Sequence, residues 1–114
     1  AAITDADPHR LILLLLQGAL DRIAVAKGHM QRGEVAPKCE SIGKAIDIIA
    51  GLRGALDLER GGEIAANLHA LYDYSELRLL EANCNNDSSR LDEVVRLLGQ
   101  IKVAWDGIAP RGAP

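Results

Sequence analysis

Three histidines, two cysteines and sixteen carboxylates are the residues of this 114-residue chain with the reactivity for catalysis or metal binding. Their spacing argues against both. His9, His29 and His69 occur without a Glu-x-x-His pair, the spacing that puts two metal ligands on one helical face. No His-x-x-x-His and no Cys-x-x-Cys occurs, so a zinc signature is absent from the sequence. Cys39 and Cys84 are too few for a disulfide framework. They are expected to be reduced and at the same end of the fold, on different helical lines. His69 is the position that would suit phosphoryl transfer, but its flanks, Asn67-Leu68 and Ala70-Leu71, lack the Lys-Gly-rich setting of histidine-phosphotransfer bundles. Glu59-Arg60-Gly61-Gly62-Glu63 has the glycines of a phosphate loop, with no strand before it and no lysine after it. Turn chemistry explains those glycines. Arg53 sits in an apolar arc, either snorkelling to water or anchoring a partner's carboxylate. Tyr72 and Tyr74 are two residues apart and point in different directions on a helix. The residue chemistry therefore offers no catalytic residue, no cofactor site and no metal site.

The elements that would position these residues are helices. Alanine and leucine supply 17 residues each, Phe is absent, and there is one Trp, which argues against an all-β fold. The net charge of −3 lacks the basic footprint of a non-specific nucleic-acid binder. The apolar run Leu11–Leu16 is too short to span a bilayer. Composition points to one soluble, helical, cytoplasmic domain over residues 1–114. Breakers fall at Gly33–Pro37, at Arg60-Gly61-Gly62 and at Asn83–Ser89. They predict helices over about 8–32, 36–57, 62–83 and 88–108, arranged as an antiparallel up-down four-helix bundle. Asp7 before Pro8, Gly33, and Asp87 or Ser88 are the expected caps, and Pro110 the final stop.

A small bundle needs one apolar stripe per helix. Helix four has one, through Leu91, Val94, Val95, Leu98, Ile101, Trp105 and Ile108. Helix one has a core line of Ile12, Leu16, Ala19, Ile23, Ala26 and Met30, with Leu11, Leu14, Gly18 and Val25 on another side. Helix two is apolar over half its circumference, from Val35 through Ile42, Ala45, Ile49 and Leu52 to Leu56. Helix three has a core line of Ile64, Leu68, Leu71, Tyr72, Leu79 and Ala82, with Ala66, Ala70, Leu77, Leu80 and Cys84 roughly opposite. The surplus lines suit a groove that accepts amphipathic helices from another chain. Leu11, Leu14, Ile48, Leu52, Leu56, Tyr74, Leu77 and Leu80 are the expected contact residues.

The opening Asp7-Pro8-His9-Arg10-Leu11-Ile12 with Gly18-Ala19-Leu20, and the stretch Lys44–Ile49, resemble the FliS family of flagellar secretion chaperones. The most specific match is Leu56-Asp57-x-Glu59-x-Gly61-Gly62-Glu63-Ile64-Ala65-x-Asn67-Leu68-x-x-Leu71-Tyr72-Asp73-Tyr74. Asn86-Asp87, Glu93-Val94 and Trp105 complete a likeness that runs from Pro8 to Pro110. Before Gly18 the family often carries an aromatic and an acidic or amide residue, where this chain has Leu16 and Gln17. The resemblance implies a four-helix bundle that binds the disordered C-terminal segment of flagellin, prevents its premature polymerisation and delivers it to the export gate. It implies action without nucleotide, metal, cofactor or catalysis, and without nucleic acid or membrane insertion. Three alternatives remain open. They are an adaptor or chaperone for a different secreted substrate, a histidine-phosphotransfer bundle using His69, and a homo-oligomer that buries its apolar grooves on itself. Titration of the freshly purified native protein with a thiol reagent is expected to count two free thiols; a lower count would contradict the reduced state expected of Cys39 and Cys84.

Overall fold

The computed structural model describes residues 7–108. It contains α1 (Pro8–Gln31), α2 (Val35–Gly54), α3 (Leu58–Asn85) and α4 (Ser88–Asp106). No strand occurs among the described residues. Connections of three, three and two residues force antiparallel neighbours. Each helix packs on two others: α1 and α3 each touch α2 and α4, and the diagonal pairs do not meet. The expected all-α bundle is the observed fold.

Aspartates start three of the helices. Asp7, Asp57 and Asp87 each accept a hydrogen bond from a free backbone N–H of the first turn, those of Arg10 (2.8 Å), Arg60 (3.0 Å) and Ser89 (2.9 Å). Pro8 begins α1, where a missing N–H costs nothing. Gly33 ends that turn at φ +73°. The left-handed cap of α3 is Asn86, at φ 53°.

The breaks near Gly33 and Asn86 lie where the sequence puts them, and the middle break differs. Helix α2 stops at Gly54 rather than near Asp57, and Asp57 opens α3 instead of closing α2. Four residues, Leu58–Gly61, form a first turn before Gly62 (φ 55°, ψ −134°) kinks the helix. The expected start near Gly62 is therefore the kink, one turn inside α3. Helix α4 ends at Asp106, and the expected stop at Pro110 lies outside the described residues.

The core follows the expected lines over most of the bundle. Leu16, Ala19, Ile23, Ala26 and Met30 of α1 are buried against Ile42, Ala45, Ile49 and Leu52 of α2, with Leu79 and Ala82 of α3 and Leu91, Val94, Leu98 and Ile101 of α4. The start of α3 corrects the sequence reading. Ile64 is 74% exposed, and Ala65 takes its place at the core. The buried line is Ala65, Tyr72, Ser75, Leu79 and Ala82. Ser75 is tolerated because its hydroxyl donates to the Leu71 carbonyl at 2.8 Å. Val35, Val95 and Ile108 are also exposed, although each lies on an expected core stripe. Val35 and Ile108 stand at or just past a helix end and border the open cavities there rather than the core.

Two charged residues have roles the sequence did not reveal. Lys38 is buried, and its ammonium donates to the Asn83 carbonyl and to Asn86 Oδ1, both at 3.1 Å. It thereby caps the C-terminal end of α3, the end that favours a cation. Arg53 makes two hydrogen bonds to Glu76, at 2.6 and 3.3 Å. Its carboxylate partner belongs to α3 of the same chain, which corrects the expected anchor for a partner's carboxylate.

The glycines give a sharp stability test, read as urea unfolding of single variants. Gly62→Ala is expected to cost about 1–3 kcal/mol, because its backbone lies where a side chain is strained. Gly61→Ala should also destabilise, since its new Cβ would overlap that of Ala65. Gly51→Ala, inside α2 with open space around it, should stabilise by about 0.4–1 kcal/mol.

Candidate docking groove

All four helices leave apolar side chains at one end of the bundle, and the core does not fill the space between them. The result is an open groove of about 970 Å³. One wall is the first half of α3: Gly61, Ile64, Ala65, Leu68, Leu71 and Tyr72. The other is the second half of α4, through Leu97, Ile101, Ala104 and Trp105, with Ile108 just beyond it. Pro8, Leu11 and Ile12 enter from α1, and Leu52, Ala55 and Leu56 from the end of α2 and its loop. Asp57, Arg60 and Gln100 are the polar side chains around it.

The structure brings three of the eight expected contact residues together. Leu11 is exposed at the groove, Leu56 is half-buried in the α2–α3 loop, and Leu52 is 2% exposed, so it forms floor and core at once. The other five lie elsewhere. Ile48 packs against the core, and a Cβ on Gly18 would come 3.7 Å from its methyl group. Leu14, Tyr74, Leu77 and Leu80 are exposed, each by 41–54%, and none lines the groove. Leu77 and Leu80 form an apolar outer face on α3.

The α4 wall was missed because its stripe satisfies a simple core pattern. The available signal was length. Trp105 and Ile108 continue that stripe beyond Ile101, while Ile64 precedes the first buried residue of α3, so apolar side chains outrun the core at the same end. Trp105 is held there by His9. The imidazole Nε2–H of His9 donates to the Trp105 carbonyl at 2.7 Å, and the Trp105 indole N–H donates to the His9 carbonyl at 2.9 Å. The two rings stack with centroids 5.0 Å apart and 16° between planes.

A polar seam joins α3 to α4 outside the groove. Glu93 accepts from the Tyr74 hydroxyl at 2.6 Å and from Arg78 Nε at 2.7 Å, and Arg78 also reaches Glu81 at 2.8 Å. The Tyr74 and Arg78 hydrogen bonds hold the Glu93 carboxyl below the ordinary glutamate value. The same Glu93 contact pushes the Tyr74 phenol up. At the opposite end of the bundle a smaller cavity of about 500 Å³ lies among Met30, Lys38, Cys39, Asn83 and Cys84. Both cysteines are free, exposed and at this same end, as expected, and the Cys39 thiol donates to Asn83 Oδ1 at 3.3 Å. Among the described residues, no three His, Cys, Asp or Glu side chains are grouped to hold a metal ion, and no helix is long and apolar enough to cross a membrane.

Residues 1–112 match the family model described as flagellar protein FliS. The chain is 58% identical over 109 residues to the flagellar secretion chaperone FliSB of Pseudomonas aeruginosa, covering 96% of this chain and 86% of that protein. It is 45% identical over 114 residues to the flagellar secretion chaperone FliS of Salmonella typhimurium, covering 99% and 84%. Against the flagellar secretion chaperone FliS of Bacillus subtilis the identity is 34% over 104 residues, covering 91% and 77%.

The depressed Glu93 carboxyl fixes a pH dependence. Its contribution to stability is complete above the unfolded glutamate value of about 4.3 and disappears as pH falls through the lower folded value. Glu93→Gln should therefore unfold more easily than the parent chain at neutral pH. The gap in urea midpoints should close as pH falls below about 4.3. A gap that stays constant across this range would show that Glu93 acts through shape rather than charge.

Proposed function

The chain belongs to the FliS family of flagellar proteins, and from that premise we infer that it is a flagellar secretion chaperone whose end groove holds the C-terminal segment of flagellin as an amphipathic helix. The observation that carries the reading is the groove, a wide and almost wholly apolar trough open to solvent and contributed by all four helices. A segment that is disordered until it binds loses conformational entropy on docking, and a large apolar contact is what offsets that loss. Apolar residues of such a helix at three-four spacing would fill the trough. Asp57, Arg60 and Gln100 would meet its polar flank.

In this reading the chaperone makes and breaks no bonds, and the groove needs neither nucleotide nor metal. It acts in the cytoplasm by occupying the flagellin surface through which subunits would otherwise polymerise, and it presents the loaded subunit to the export gate. The exposed outer line of Tyr74, Leu77 and Leu80 on α3, with Leu14 on α1, extends the contact beyond the groove.

Titration of a synthetic flagellin C-terminal peptide tests this directly. Trp105 is the single tryptophan of the chain and lines the groove, so its emission reports occupancy. Ile64→Glu is the sharpest variant, because Ile64 lines the groove while being largely exposed, which spares the fold. It should lower affinity by about 2 kcal/mol, roughly thirty-fold. Leu77→Glu and Leu80→Glu should weaken binding less. Unchanged affinity for Ile64→Glu would remove the groove from the binding surface. Sedimentation of the free chain that showed a concentration-dependent dimer lost in Ile64→Glu would favour self-association instead.

A further inference from the structure

The groove wall on α4 is built from a helix end without a favourable end charge. The last turn of α4 carries no basic residue, and it ends in Asp106, a charge of the wrong sign for a helix C-terminus. Carbonyls at such an end have no partner within the helix, and the turn frays unless something binds them. Here the Val103 and Trp105 carbonyls accept the N–H groups of Gly107 and Ile108, both at 3.1 Å, and the Trp105 carbonyl gains a second partner, a side chain from the first turn of α1. The His9 Nε2–H donates to the Trp105 carbonyl, which can only accept, so the proton sits on Nε2. The Trp105 indole returns a hydrogen bond to the His9 backbone, and the stacked rings close the contact. Trp105 lines the groove whereas His9 does not, so His9 reaches the groove only through Trp105.

We propose that His9 and Trp105 are positioning residues for the docked segment: their clasp fixes the last turn of α4 against the first turn of α1 and so preorganises one wall of the groove. The inference rests on the docking reading above. A wall that is already ordered spares the complex the entropy of ordering it on binding, which is how a residue outside the contact raises affinity.

The test uses the whole chain, with His9→Ala and His9→Gln, whose amide N–H can still donate. Two quantities are read: the dissociation constant for the flagellin C-terminal peptide, and amide hydrogen exchange in the free protein. In His9→Ala the dissociation constant should rise by about tenfold. Exchange should accelerate at residues 104–108 and stay slow around Leu79 in the core. His9→Gln should recover part of both effects. Two results would overturn the proposal. One is peptide affinity in His9→Ala within about twofold of the parent chain. The other is accelerated exchange spread evenly over all four helices, which marks a general stabilising role. Ile64→Glu separates the two levels of argument. If it abolishes peptide binding while His9→Ala leaves it intact, the positioning role alone fails. If Ile64→Glu binds as the parent does, or the parent does not bind at all, the docking reading fails and the positioning role falls with it.

Discussion

At Gly62 the chain adopts φ 55° and ψ −134°, a conformation from which a Cβ is excluded on steric grounds. The groove end of the molecule is arranged around this departure from helical geometry. It separates the turn Leu58–Gly61, capped by Asp57, from the long remainder of α3. Past the kink, Ala65 faces the core and Ile64 is left at the groove. The neighbouring Gly61 sits so close to Ala65 that any side chain on it would collide. Two adjacent glycines thus serve different needs, one a backbone angle and the other a close approach. Together they let a helix begin, turn and present an apolar wall within eight residues. Across from that wall, α4 ends without such a kink, and His9 bonds to its last turn.

The two ends of the bundle have opposite characters. The groove end is open and apolar. The far end has the smaller cavity and a set of short polar contacts: Lys38 on the end of α3, Glu34 between His29 and Arg32 at 2.7 and 2.9 Å, and Lys27 on Asp92 at 2.7 Å. The His29 and Arg32 hydrogen bonds hold the Glu34 carboxyl below its ordinary value. Among the described residues every buried side-chain nitrogen or oxygen has a partner. Polar groups that are satisfied locally gain little from a visitor, whereas uncovered apolar surface gains in proportion to the area buried. The distribution of side chains along the helices thus gathers the largest uncovered apolar hollow at one end.

Much of this was legible in the residues. Asp7-Pro8, Gly33 and Asn86-Asp87 punctuate the helices where their types require, and the three-four spacing from Leu16 to Met30 identified the face of α1 that is buried. The surplus apolar lines led to an expected docking surface of which Leu11, Leu52 and Leu56 line the groove, and the Gly-Gly-Glu to Tyr-x-Tyr stretch named the family. What stayed hidden depended on relations between helices. Ile64 has the spacing of a core residue and shares a face with Leu68 and Leu71, but at this end of the bundle that face lines the groove and is left uncovered. Ser75 and Lys38 are polar, so periodicity could not count them as buried; their partners, the Leu71 carbonyl and the end of α3, exist only once the chain has folded. Leu52 and Leu14 look alike on a helical wheel, yet one is floor and the other solvent-exposed. The α4 wall was hidden because one apolar stripe is what any bundle helix must have, and nothing local says that part of it will stay uncovered.

The clasp between His9 and Trp105 also sets the mechanics of the bundle. Helices α1 and α4 are neighbours, so the beginning of one and the end of the other lie side by side at the groove end. Tension applied between the start of α1 and the end of α4 does not shear these helices along their length. It peels α1 from α4 starting at the imidazole–indole stack, loading one layer of side chains at a time. Contacts broken in series resist far less force than the same contacts loaded in parallel. A bundle stitched in this order yields to a small steady pull and gives way first at the wall of its groove, so mechanical extraction would release a docked segment before the rest of the core opened.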